Sequence, residues 1–127
     1  MKFLLPTFVL SVGLWGCNPY AVMRDANRAA LNQIEIGMTK SQVEDTMGQS
    51  SAYGVGGHYE NPYKREIIRG TDGQSYDVLY YYTQQIGARP IETGLMPIVL
   101  SEGRVVGIGW SFLDSITGAS TTTIRQR

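Results

Sequence analysis

The chain has one cysteine and one histidine in 127 residues. An internal disulfide is therefore impossible, and any Ser-His-Asp or Cys-His arrangement would depend on His58 alone. There is no His-Glu-x-x-His pair to hold a metal on a helix. Neither sign of charge is in excess, with 11 basic residues against 11 acidic ones. That balance removes the electrostatic footprint of a nucleic-acid binder and the polybasic face that seeks acidic lipid. No apolar run reaches the ~20 residues of a comfortable membrane span. Gly54-Val55-Gly56-Gly57 lacks the following Lys-Ser/Thr and helix start of a phosphate loop. Glu44 and Asp45 are adjacent, so on a helix they point apart and read as a solvated face. These residues support no catalytic site, no metal and no cofactor, and the expected protein is not an enzyme.

The first residues are unlike the rest. Met1-Lys2 supplies one positive charge, and residues 3–14 are mostly apolar, with Pro6 and Gly13 weakening them as a permanent helix. Leu14-Trp15-Gly16-Cys17 follows. A charged start, a short apolar run and small-residue punctuation describe a secretory signal, here over residues 1–16. An unpaired cysteine in an exported chain calls for an explanation. Cys17 directly follows the apolar run and a glycine, the position of a cysteine that is lipidated and becomes the new N-terminus. Leu14, Gly16 and Cys17 fit that pattern, and Trp15 departs from it because a small residue is usual there. The competing reading is a hydrophobic first helix that buries its thiol. Position, length and charge agree better with the leader and the lipid. Acyl chains contribute ~0.8 kcal/mol per buried CH₂, so two or three hold a small domain on a bilayer.

What is abundant is glycine, at 15, and tyrosine, at 8, a combination suited to sheet and loops. Asn18-Pro19 suits a helix start, residues 20–32 read as a helix, and Met23, Ala26, Ala30 and the following Ile34 recur at helical spacing. Residues 37–48 predict a short helix with both ends written out. Thr39 is the N-cap, Gln42 completes a capping box, Met38 and Val43 form a hydrophobic staple, and Gly48 ends the helix. Residues 49–63 read as an irregular glycine-aromatic loop. Strands are expected over residues 64–69, 75–83, 96–100 and 105–110, with Pro97 arguing for a strand start or an edge. In the second of these, Tyr76, Val78, Tyr80 and Tyr82 fall on one face, and Leu79 and Tyr81 on the other. In the last, Val106, Ile108 and Trp110 share a face, and Gly107 and Gly109 leave the other bare. Past Leu113 there is little to bury, so residues 114–127 are expected to fray. The expected class is α+β: two N-terminal helices packed on a three- to four-stranded antiparallel sheet, with the domain spanning residues 17–113.

The order of these features matters. Ile36-Gly37-Met38-Thr39-Lys40-Ser41-Gln42-Val43, then Gly48, a tyrosine-rich strand and Val99-Leu100-Ser101-Glu102-Gly103-Arg104-Val105-Val106, all behind the Cys17 motif, resemble the SmpA/OmlA (BamE/OsmE-like) family of small bacterial outer-membrane lipoproteins. Gly37, Met38, Thr39, Val43, Gly48, Gly103 and Val105 carry the match. Gln49-Ser50-Ser51 stands where a proline is usual in the family, and the glycine-aromatic segment has no counterpart there, which points to a separate branch. The resemblance implies a lipid anchor on the periplasmic face of the outer membrane, an envelope-protein partner, and a scaffolding role in envelope assembly or stress. Asn18, next to the anchor, agrees with outer-membrane sorting.

The candidate contact residues are Tyr53, His58, Tyr59 and Tyr63, since tyrosine gives large contact area for little entropy. They can instead fold back and close one end of the sheet. A sheet face left uncovered by the helices is a second candidate surface. It is the surface a periplasmic binding or enzyme-inhibitor module of this architecture would use.

Overall fold

A computed structural model describes residues 18–54, 56–84 and 94–118. Residues 1–17, with the expected leader and Cys17, and residues 55, 85–93 and 119–127 lie outside the described residues. In chain order the elements are α1 (Pro19–Leu31), α2 (Lys40–Met47), β1 (Ser51–Gly54), β2 (Gly57–Glu60), β3 (Lys64–Arg69), β4 (Ser75–Tyr82), β5 (Leu95–Ser101), β6 (Arg104–Ile108) and α3 (Trp110–Thr117). The protein is α+β. Strands β3 to β6 form a four-stranded antiparallel meander, and β1 and β2 form a separate hairpin.

Helix α2 forms as its sequence dictates. The Thr39 hydroxyl accepts from the Gln42 N–H, and the Gln42 side chain accepts from the Thr39 N–H. The helix ends at Gly48 with φ +72°. Val43 and Met47 share its inner face and are buried, each contributing roughly 2 kcal/mol of transfer free energy. They cover Leu79, Tyr81, Ile98, Leu100 and Val105, with Met38 packed alongside.

The opposite face of the sheet is covered as well. Tyr76, Val78, Tyr80, Tyr82 and Val99 lie beneath the start of α1, the β1–β2 hairpin and α3. The expectation of an open, tyrosine-bearing sheet face is therefore corrected. The cover comes from two elements that the sequence pattern does not announce. Residues 49–63 are read as a loop, but most of them form the hairpin, whose inward residues Ala52 and Tyr59 are buried. The chain after Ile108, expected to continue as strand and then to fray past Leu113, turns into α3 instead. A Cβ at Gly107 would run into the Phe112 ring, so the missing side chain is the seat of that ring. The register also shifts between Val99 and Leu100. A bulge of this kind breaks strict alternation, which is why Val106 packs in one core cluster and Ile108 in the other.

Pro97 lies in the inner strand β5, not at an edge. Pairing between β5 and β6 reaches only to Ile98–Ile108, and the Pro97 carbonyl accepts from the Gly109 N–H at 2.8 Å. The proline's missing N–H therefore falls just where the neighbouring strand leaves the sheet. The β6 edge is closed by Gly37 N–H to the Val105 carbonyl and Val105 N–H to the Met38 carbonyl, both 2.8 Å. The β3 edge is open and carries Lys64, Arg65 and Arg69, charges that discourage pairing with another chain.

Helix α1 buries Tyr20, Met23 and Asn27, so the third inward position of its stripe is polar and Ala26 faces solvent. The Asn27 amide donates to the Asn61 side-chain oxygen at 2.9 Å and to the Tyr82 carbonyl at 2.8 Å. The Asn61 amide donates back to the Asn27 oxygen at 2.6 Å and to the Met47 carbonyl at 3.2 Å. All four amide hydrogens of this buried pair are used. Removing either side chain strands the other together with a buried carbonyl. Asn27→Ala and Asn61→Ala are each expected to cost about 2–4 kcal/mol in urea unfolding. The double variant should fall short of their sum by about 1–3 kcal/mol, whereas strict additivity would show that the two amides do not act together.

Tyr81 presents the opposite case. Its ring is fully buried beneath α2, and its hydroxyl has no hydrogen-bond partner among the described residues. Burial, and secondarily the Glu44 carboxylate, push its pKa up to about 12. An unfolded tyrosine ionises near pH 10, so above that pH the folded state binds more protons than the unfolded one. Ionisation of Tyr81 therefore opposes folding: stability is unaffected below pH 10 and falls, by on the order of 2–3 kcal/mol, as the pH climbs to 12. Tyr82, raised chiefly by burial, adds to the loss in the same direction. Tyr81→Phe is expected to stabilise the fold by about 1 kcal/mol at pH 7, because an unmet buried hydroxyl disappears. Denaturant curves from pH 7 to 11 should also show a shallower alkaline decline.

Candidate interaction surface

The hairpin sorts its residues by the two-residue period of a strand. Ala52 pairs with Tyr59 on the inner face, and Tyr53 pairs with His58 on the outer one. Tyr59 is 7 % exposed and sits at the centre of an aromatic cluster. Its ring meets Tyr20 edge-on at 5.2 Å, and stacks with Tyr63 at 5.5 Å and Tyr82 at 6.1 Å. Its hydroxyl donates to the Gly56 carbonyl at 2.8 Å. Tyr20 donates to the Gly57 carbonyl at 2.6 Å. A Cβ at Gly54 would lie 2.8 Å from that same Tyr20 ring, so the glycine admits the helix to close range. The hairpin is thus clamped to α1 and to the end of β4 by its inner residues.

On the outside, the Tyr53 and His58 rings stack at 4.0 Å with only 6° between their planes. Tyr53 is 68 % exposed and Tyr63 42 %. The His58 Nε2 lies 3.4 Å from a Glu60 carboxylate oxygen, an ion pair whenever the imidazole is protonated. A flat aromatic surface results, with one acid at its margin. Of the four residues singled out from sequence, Tyr53 and His58 come together, Tyr63 lies close by through Tyr59, and Tyr59 itself is corrected to a core residue. Its place on the inward side of β2 decides this, because single-residue alternation in so short a strand is invisible beside three glycines. Tyr20, which carries the hairpin, was missed; its only signal was an aromatic one residue into a capped helix. Cys17, the expected lipidation site, lies outside the described residues.

An open cleft of about 300 Å³ lies elsewhere, between α2 and the β3–β4 pair, lined by Lys40, Arg65, Ile67, Asp77 and Leu79 among others. Its charges are already matched, Lys40 with Asp77 at 3.6 Å and Arg65 with Glu44 at 3.0 Å. Among the described residues no cluster of His, Cys, Asp and Glu is arranged to hold a metal ion, and no helix is long and apolar enough to cross a membrane. No protein-family model matches the chain, and neither a curated protein nor a solved structure does.

The two sides of the hairpin should respond differently to truncation. Tyr53→Ala with His58→Ala is expected to change stability by less than about 1 kcal/mol, since both face solvent. Tyr59→Ala should cost about 3–5 kcal/mol, as for other buried aromatics. Equal losses in thermal or urea melts would contradict the division into platform and support.

Proposed function

We propose that the chain is a lipid-anchored interaction protein of the bacterial cell envelope, with no catalysis of its own. It engages an envelope component through the outer face of the β1–β2 hairpin. The observation that carries the reading is the junction of the Cys17 motif with the fold. Leu14-Trp15-Gly16-Cys17 closes an apolar leader, and the N-cap of α1 is the very next residue, Asn18. The resemblance to the SmpA/OmlA family supports the same compartment, and two N-terminal helices ahead of an antiparallel meander are compatible with it, although the β1–β2 hairpin and α3 are additional. The dispersed ionisable groups, with His58 stacked on a tyrosine instead of facing a nucleophile, favour a binding role over chemistry. An inhibitor module that works through an open sheet face is disfavoured, because both faces of the four-stranded sheet are packed.

Intact mass spectrometry of protein extracted from membranes tests the reading. The expected mass is that of residues 17–127 plus two or three acyl chains, in the outer-membrane fraction. An unprocessed chain with a free thiol in the cytosolic fraction would overturn it.

A further inference from the structure

The two edges of the four-stranded sheet are finished differently. The β6 edge is bonded to Gly37 and Met38, whereas no described residue pairs with β3 on its outer side. The direction of each β3 amide is fixed by two bonds at the ends of the β3–β4 register. The Gly70 N–H donates to the Gln74 carbonyl and the Tyr63 N–H to the Tyr80 carbonyl, both at 2.8 Å. Along an antiparallel pair only alternate residues bond across. Lys64, Glu66 and Ile68 therefore bond to β4, and the backbone N–H and C=O groups of Arg65, Ile67 and Arg69 point outward. The side chains of the same three residues share the α2 face of the sheet, paired with Leu79, Asp77 and Ser75. Ile67 is 75 % exposed, more than any other large apolar side chain among the described residues, and it lines the cleft beside α2. On this face Arg65 meets Glu44 and Lys40 meets Asp77, while Arg69 has no ion pair among the described residues. On the other face Lys64 meets Glu66, which also accepts from the Tyr80 hydroxyl. The open edge thus presents arginine, isoleucine and arginine at alternate positions, with one arginine unanswered.

We propose that the β3 edge is a strand-addition site for an extended segment of a partner protein that carries an apolar residue between two acidic ones at alternate positions. Added antiparallel, such a segment bonds to the outward N–H and C=O groups of all three residues. It lays its apolar side chain on Ile67 and sets its carboxylates against Arg65 and Arg69. The arginines that discourage indiscriminate pairing thereby select the partner. A second copy of the chain fits badly. In the register that joins all three outward residues, centred on Ile67, each Arg65 faces the other copy's Arg69, and like charges directly opposite are destabilising. Residues 119–127 of the same chain carry Arg125 and Arg127 and no acid, so their charge is also of the wrong sign. Neither the lipid anchor nor the hairpin face takes part in this contact.

The test uses the full chain in mild detergent and three end-capped heptapeptides. The first is Thr-Glu-Thr-Val-Thr-Glu-Thr, the second has lysine in place of both glutamates, and the third is the first with an N-methyl group on its valine. Binding is read by titration, and amide hydrogen exchange is followed residue by residue. In the free protein the amides of Arg65, Ile67 and Arg69 should exchange fast and those of Glu66 and Ile68 slowly. The glutamate peptide should slow the three fast amides at least about tenfold, and the lysine peptide should bind about tenfold more weakly. The N-methyl peptide keeps the charges but loses the backbone bond opposite Ile67, and it should not bind. Arg69→Glu, a change at an exposed position, should narrow the preference for glutamate over lysine about three- to tenfold. Outward amides already slow in the free protein would show the edge to be occupied by this chain or by a second copy and would overturn the proposal. So would a failure of the glutamate peptide to bind, equal affinity for the glutamate and lysine peptides, or binding that survives N-methylation.

Discussion

Two buried amides hold this domain in one arrangement. Asn27 and Asn61 each satisfy the other, and their remaining hydrogens go to the Tyr82 and Met47 carbonyls. Helix α1, the last residue of α2, the end of β4 and the turn after the hairpin all meet at this point. In an apolar interior an unpaired amide is costly, so none of the four can shift alone. Two apolar side chains in their place would fill the space without dictating which elements meet. Arg28 reinforces the junction by donating to the Thr83 carbonyl at 2.6 Å.

The aromatic cluster is built on that junction. Once Asn61 is fixed, Tyr59 two residues before it is stacked against Tyr82 and edge-on to Tyr20. The hairpin becomes a rigid shelf with Tyr53 and His58 on its upper side. Rigid aromatic surface costs little entropy to present, which is the physical basis for assigning recognition to this shelf. Among the described residues, α2 covers one face of the sheet and α3 and the hairpin cover the other. The proposed anchor gives the shelf its setting, since the helix that grips it starts two residues after Cys17.

The legible parts of the fold are those whose causes are local. Thr39, Gln42 and Gly48 lie within ten residues of one another, and the capping box they spell is the one that forms. The alternation from Tyr76 to Tyr82 sends its residues to the two core clusters in the expected split. Misreadings arise where a distant residue decides. Gly107 looks like a bare spot in a strand until Phe112, from the following helix, fills it. Pro97 looks like an edge marker until β6 is seen to end beside it. Asn27 interrupts an apolar stripe, and only Asn61, 34 residues away, explains it. Of the proposed contact surface, tyrosine and glycine density marks the segment in the sequence, but strand pairing alone separates outward Tyr53 from inward Tyr59.

By itself the sequence determined the α+β class, both ends of α2 and the two-faced central strand, because caps, two-residue alternation and composition act over a few bonds. The tertiary structure alone decided that both sheet faces are covered, that a helix over Trp110–Thr117 follows β6, and that Tyr53 and His58 form one outward surface while Tyr59 is core. Those outcomes depend on pairing and packing between residues far apart in the chain, and no local rule specifies which partners will meet.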